Sequence, residues 1–199
     1  ETSCDETGTA ILEGSSKTHE VKILSNSLAS SLSLHEKTGG VIPEVAAREQ
    51  LKYILPVIDS ALQDAGRPAI DAIAVTYGPG LIGSLLVGVE TAKTLSYVWN
   101  KPLIPVNHLY GHIYANWIGE VTNHKSQITK FETPEFPALA LVVSGGHTDL
   151  VIMQDHGKLQ WIGGSRDDAA GEAFDKIGRL LGLTAYPAGP AIEKAALNG

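Results

Sequence analysis

The sequence predicts an α/β protein of two lobes, and three observations carry that expectation. A strand, a Gly/Thr turn and a second strand occur near the N-terminus ("CDETGTAI") and again in the second half ("SGGHTDLVI"), as a duplicated unit would leave them. Between them "DAIAVTYGPG", a helical stretch at 84–99 and "PLIPV" follow one another in β-α-β order, which requires a parallel pair. The polar stretch "GEVTNHKSQITKFETPEFP" then reads as a linker, 119–137, between a first lobe at 1–118 and a second at 138–199. A duplicated fold of this kind would hold a phosphate between its lobes.

Each element follows from local pattern. "TGTAILEG" and "EVKILSNSLA" are β-runs joined by a turn around Gly14 to Lys17, hence a hairpin. "VIPEVAAREQLKYILPVIDSALQDAG" is helical by composition, with Pro43 tolerable near a first turn, Pro56 a kink or break, and Gly66 a C-terminal stop. The helix at 84–99 is small and apolar on much of its surface, which suits a core position better than a dimer face. A helix containing His108 and His112 continues through Trp117. Beyond the linker, "ALALVVSGGHTDLVIMQDHGKLQWIGGS" reads as strand, Ser-Gly-Gly turn, strand, turn at His156 and Gly157, strand. "DDAAGEAFDKIGRLLGL" is a helix with Asp167 or Asp168 as its cap.

Composition excludes several classes. With 199 residues, 43% hydrophobic and 19% charged, the chain is globular, not disordered. Its longest apolar run, "LIGSLLVGVETAKTLSYVW", is broken by Glu90 and Lys93 and falls short of the roughly 20 apolar residues that a membrane helix needs. The single cysteine, Cys4, rules out an internal disulfide, and no basic, apolar leader precedes it, so a cytoplasmic location is expected. The net charge is −7, and neither half is basic. Phosphate neutralisation supplies most nucleic-acid affinity, so a chain like this would grip a nucleic acid only with help.

Five motifs carry candidate chemistry. In "NHLYGH", His108 and His112 are four apart, so on a helix both reach one metal ion; Leu109 stands where a zinc protease needs its general-base Glu. Spacing alone leaves a chance pair open. "GPGLIG" at 78–83 matches the dinucleotide pattern, but the ribose-binding acid expected at the end of the next strand is replaced by Asn107, and the glycines read better as a tight turn. "VVSGGHT" at 142–148 is either an anion-binding concavity of backbone N–H groups or an ordinary hairpin turn, with His147 as turn furniture. "ETSCDETGT" sets Glu1, Asp5 and Glu6 among small hydroxyl residues, as a cation or phosphate loop or a solvated turn would; Cys4 beside these acids is a poor nucleophile. Asp168, Glu172 and Asp175 share one helical face opposite Phe174, Ile177 and Leu181, either as a solvated surface or as carboxylates presented to ribose hydroxyls.

Taken together, "ETSCDET", "GGVIPEVAAR", "YGPGLIGSLLVG", "NHLYGH", "LVVSGGHT", "DDAAGEAFDK" and "YPAGP" resemble, in order and context, the tRNA adenosine threonylcarbamoyltransferases of the TsaD family, in a bacterial rather than archaeal form. The resemblance implies the two-lobed fold of actin, Hsp70 and sugar kinases. It also implies transfer of the threonylcarbamoyl group from threonylcarbamoyl-AMP to N6 of the adenosine beside the anticodon, in tRNAs reading codons that begin with A. His108 and His112 would bind one divalent metal ion, iron or zinc. Val142, Val143, Ser144, Gly145 and Gly146 would cradle the adenylate phosphate, and Asp175 and Gly189 would meet its ribose and adenine. Expected partners are tRNA, a paralogous scaffold subunit and a small ATPase, with no membrane.

The chain departs from the family's pattern at three positions: Tyr110 where Glu is usual, Ala188 where Gly is usual, and Gln50 where His is frequent. The family's third metal ligand, an Asp, and a further nucleotide contact, an Asn, lie downstream of "ALNG". The second lobe is therefore expected to be incomplete and this stretch inactive alone. Two other readings share the fold: a non-catalytic scaffold paralogue, which has no need of a His pair, and a sugar-kinase-like phosphotransferase, which needs a catalytic Asp instead.

Overall fold

The computed structural model describes residues 1–15, 21–118, 120–122, 128–130, 132–183 and 186–197; most of the turn expected after Gly14 lies outside them. The chain divides into two compact units, Glu1–Leu32 with Val41–Thr133, and Ser33–Gly40 with Pro134–Gly199. Among the described residues no helix is long and apolar enough to cross a membrane.

In the first unit, β1 (Glu6–Gly14) and β2 (Val21–Ser30) form the expected antiparallel hairpin, paired from Glu6 opposite Ser30 to Gly14 opposite Val21 with a register shift between Ile11 and Leu12. The segment expected as a linker does more than connect. It supplies β5 (Glu120–Thr122), parallel to β2, and β6 (Ile128–Lys130), antiparallel to β5, giving the sheet order β1-β2-β5-β6. Strands of three residues leave too short a pattern to read through so polar a composition.

After the short helix α1 (Leu32–His35) in the chain, helix α2 (Pro43–Asp64) packs on this sheet through Ala46, Gln50, Ile54, Val57 and Ala61, a stripe with i, i+4 and i+3 steps. Burying Ile54 and Val57 contributes about 1.5–3 kcal/mol each. Of the kink or break expected at Pro56, the break does not occur: the helix runs through it. Its side chain is on the exposed face, where water can serve the carbonyl that loses its N–H partner. Gly66, at φ +76°, closes the helix as expected.

The parallel pair is present: β3 (Ile73–Gly78) and β4 (Leu103–Asn107) run in register from Ile73 opposite Leu103. Between them α3 (Ile82–Trp99) starts two residues before the expected Ser84. Its buried face is Ser84, Gly88 and Ala92, whereas Ile82, Leu86, Tyr97 and Val98 are exposed. The small face admits the N-terminal loop: a Cβ on Gly88 would collide with Thr2, and one on Gly80 would sit 2.5 Å from the Ser3 carbonyl. Within this unit a cavity of about 650 Å³ lies between β1 and β3, lined by Ala10, Leu12, Leu24, Val75 and Ala92 among others.

In the second unit β7 (Ala138–Val143), β8 (Thr148–Asp155) and β9 (Lys158–Gly164) form an antiparallel meander, as expected. Val142, Val151 and Met153 are buried on it, while Leu139, Leu141 and Val143 alternate to the exposed side. Helices α5 (Ala170–Leu180) and α6 (Gly189–Ala196) pack together at Gly178, where a Cβ would strike that of Ala188.

Candidate functional site

The histidine pair is built at a strand-to-helix junction. β4 ends at Asn107, whose side-chain oxygen accepts from the N–H groups of Leu109 (2.9 Å) and Tyr110 (3.3 Å), and α4 (His108–Tyr114) begins on the next residue. A 3-10 turn, Ala115–Trp117, continues it. His108 and His112 then share one face, with ring centroids 4.5 Å apart, planes at 87° and Nε2 atoms 3.1 Å apart.

Other groups approach the far nitrogen of His108. Nδ1 lies 3.1 Å from Ser3 Oγ and 3.4 Å from Glu1 Oε2. The second oxygen of Glu1 accepts from the Ser3 N–H at 2.6 Å. Burial pushes the Glu1 carboxyl up, but hydrogen bonds from the His108, Ser3 and Thr76 side chains and from the Ser3 N–H outweigh it and hold the group well below the usual carboxylate range.

The loop that carries Glu1 and Ser3 is fixed carbonyl by carbonyl. Glu1 O accepts from Gly8 N, Ser3 O from Leu81 N, and Asp5 O from both N and Oγ of Ser31. The Gln50 side-chain nitrogen donates to the carbonyls of Thr2, Cys4 and Glu6 at 3.4, 2.9 and 3.1 Å. Thr2 Oγ1 donates to Ser84 O, and Ser84 Oγ to Cys4 O. Burial, joined by the Asp5 carboxylate, pushes the Cys4 thiol up to about 11, which agrees with its reading as a poor nucleophile.

In the second unit, the Ser-Gly-Gly turn sits on the start of α5. Ser144 Oγ accepts from Gly146 N (3.3 Å) and His147 N (3.0 Å), and Ser144 O accepts from Gly171 N (3.1 Å). A Cβ at Gly171 would fall 2.7 Å from that carbonyl, so the approach requires glycine there. Neither Asp167 nor Asp168 caps α5, contrary to expectation. Thr148 Oγ1, at the start of β8, takes the Ala170 N–H at 2.8 Å, and Asp168 turns instead to Lys176. The cap therefore comes from another element, which local sequence cannot announce.

The remaining expected site residues divide as follows. Val142, on β7, is buried and Val143, which ends that strand, is exposed. Gly145 and Gly146 face open space. Asp175 Oδ1 accepts from Ala188 N at 2.7 Å, one residue before Gly189 opens α6, so those two positions are brought together.

Sequence reasoning missed Asn107 as a cap, Gln50 and Thr148 as cross-links, and Ser3 and Glu1 as neighbours of His108. Only Asn107 left a local signal, an Asn immediately before a helix. Among the described residues no group of three or more His, Cys, Asp or Glu side chains forms a metal cluster. The pair nevertheless suits an ion: two nitrogens bound side by side at ~2.0–2.1 Å lie roughly 3 Å apart, the spacing of the Nε2 atoms, and imidazole suits zinc and iron alike.

Comparison with known proteins adds a family. Residues 22–199 match the family model described as tRNA N6-adenosine threonylcarbamoyltransferase. Curated relatives of that name include those of Thermomicrobium roseum, 54% identical over all of this chain and 52% of its own length, and of Dehalococcoides mccartyi, 52% identical over all of this chain and 56% of its own. The Symbiobacterium thermophilum relative is 52% identical over all of this chain and 54% of its own length. The chain thus spans about half the length of the curated relatives it matches. Among solved structures, YeaZ from Pseudomonas aeruginosa matches with a TM-score of 0.46 and 17% identity, over 86% of this chain and 65% of that one.

Proposed function

The chain belongs to the tRNA N6-adenosine threonylcarbamoyltransferase family, and from that premise we propose that the protein transfers the threonylcarbamoyl group of threonylcarbamoyl-AMP to N6 of the adenosine beside the anticodon, in tRNAs reading codons that begin with A. The observation that carries this reading is the convergence of His108 and His112, with Nε2 atoms 3.1 Å apart on one helical turn. A scaffold has no use for such a pair, and Leu109 removes the protease alternative.

His108 and His112 would hold one divalent metal ion, iron or zinc. When bound, it supplies Lewis-acid polarisation of the carbamoyl carbonyl. The rest is binding and orientation. Val142, Val143, Ser144, Gly145 and Gly146 carry the adenylate phosphate: the two glycines leave the turn open, and the positive end of α5 directly beneath it favours an anion. Asp175, whose Oδ1 holds the Ala188 N–H, has Oδ2 left to accept from a ribose hydroxyl, and Gly189 lets adenine approach the backbone. With no activated Ser or Cys in view, positioning and electrostatic stabilisation supply the catalysis as AMP departs.

A chain of net charge −7 with no basic stripe needs help to hold tRNA, which supports a companion subunit; a paralogous scaffold subunit and a small ATPase, in the cytoplasm, are the partners that the family resemblance implies. The test is the full-length protein with those partners, threonylcarbamoyl-AMP and a tRNA transcript, with the modified nucleoside read by mass spectrometry. Combining His108→Ala with His112→Ala is expected to reduce product to background. Full activity in that double variant would remove the metal role.

A further inference from the structure

We propose that Glu1 is the positioning residue of the histidine pair: its carboxylate accepts the Nδ1 proton of His108 and so fixes the imidazole with a bare Nε2 turned toward His112. The inference rests on the reading of His108 and His112 as a metal pair. Three observations support it. Glu1 Oε2 is 3.4 Å from His108 Nδ1, the ring nitrogen remote from the Nε2 that meets His112. Being on that side, the carboxylate approaches the ring from behind the metal-facing edge, which is the place of a group that orients a ligand. The carboxylate is itself held, because its other oxygen takes the Ser3 N–H at 2.6 Å.

A carboxylate in this place does two things for the ring. It selects the tautomer, since an imidazole that donates from Nδ1 presents a lone pair at Nε2. It also makes that lone pair more basic, which a neutral acceptor does less well. Ser3 Oγ, at 3.1 Å from the same Nδ1, is the competing partner. A hydroxyl can both donate and accept, so alone it would leave the tautomer undecided; the anion decides it.

The full-length protein tests this with cobalt(II) as probe, titrated against a chromophoric chelator while the cobalt absorption bands are recorded. Glu1→Gln keeps an acceptor for the Ser3 N–H and removes the charge. It is expected to weaken cobalt binding roughly 10–100-fold and to shift the bands, as loss of an orienting partner behind a ligand does. Ser3→Ala is expected to weaken it less. Nitrogen-15 NMR of metal-free wild-type protein is expected to show His108 as the Nδ1–H tautomer, a readout that needs no variant to fold.

The outcomes separate. Unchanged affinity in Glu1→Gln, with binding abolished by His108→Ala, overturns this inference and leaves the metal reading standing. A larger loss in Ser3→Ala than in Glu1→Gln, or an Nε2–H tautomer in the wild type, also overturns it. Wild-type protein that binds no cobalt removes the metal pair and this inference together.

Discussion

Among individual residues, Cys4 shows chemistry and sequence position in agreement. A lone cysteine between Ser3 and Asp5 looks reactive by its exposure, yet burial of its thiol surroundings and the Asp5 carboxylate push it up to about 11. Only the thiolate attacks, so at pH 8 roughly one molecule in a thousand is reactive. Iodoacetamide labelling of the native protein at pH 8 is expected to run at least tenfold slower than that of free cysteine and to climb steeply between pH 9 and 11; labelling at the free-cysteine rate would refute the environment described. The acidic neighbours were readable from "CDE", and with them the direction of the effect. Gln50 was not readable: its three carbonyl contacts join residues 44 to 48 positions away, and no local pattern encodes a contact at that separation.

Helix α5 makes the corresponding point for an element. Its existence was legible from the apolar and acidic faces of "DDAAGEAFDKIGRLLG", but its start was not. Two aspartates in the right place compete poorly with Thr148, which the β7–β8 turn delivers to the Ala170 N–H, while Asp168 pairs with Lys176 at 2.6 Å. Tertiary placement overrides a local capping preference. Thr148→Val keeps the shape and removes the cap, and is expected to cost about 1 kcal/mol in urea denaturation. Asp167→Ala, which removes any capping oxygen at that position, is expected to change stability by less than about 0.5 kcal/mol, the usual range for surface substitutions. A larger effect at Asp167 than at Thr148 would return the cap to the sequence-based choice. The helix α2 repeats the lesson with Pro56, a breaker by type that the exposed face accommodates.

For the whole molecule, the β-α-β unit and both hairpins were legible because each is a local, periodic pattern. The assignment of Ser33–Gly40 to the second unit was not, since a short turn of helix carries no label for the body it joins. The large apolar side chains also speak at this scale. Leu139, Leu141 and Val143 on β7, Ile177 and Leu180 on α5, and Leu181 just beyond it remain exposed, and the cavity between β1 and β3 has aliphatic residues among its lining. Apolar surface of this extent on one stretch is a binding surface or an aggregation liability. Residues 1–199 expressed alone are expected to bind anilinonaphthalene sulfonate several-fold more strongly, per molecule, than the full-length protein, and to elute from gel filtration as self-associated species. Equal dye binding by the two would mean that these surfaces serve neither the longer chain nor its assembly.

The N-terminal loop has a thermodynamic consequence. From Glu1 to Glu6 each backbone carbonyl is held by β1, by α2, by α3 or its N-terminal turn, or by the end of β2, so the loop is ordered before any ligand arrives. Fixing a residue's backbone costs about 1–2 kcal/mol in entropy, and for these residues that cost falls in the folding equilibrium. Whatever binds beside His108 therefore meets a surface already in its final shape. Its affinity reports contacts made, undiminished by the ordering of the segment that makes them.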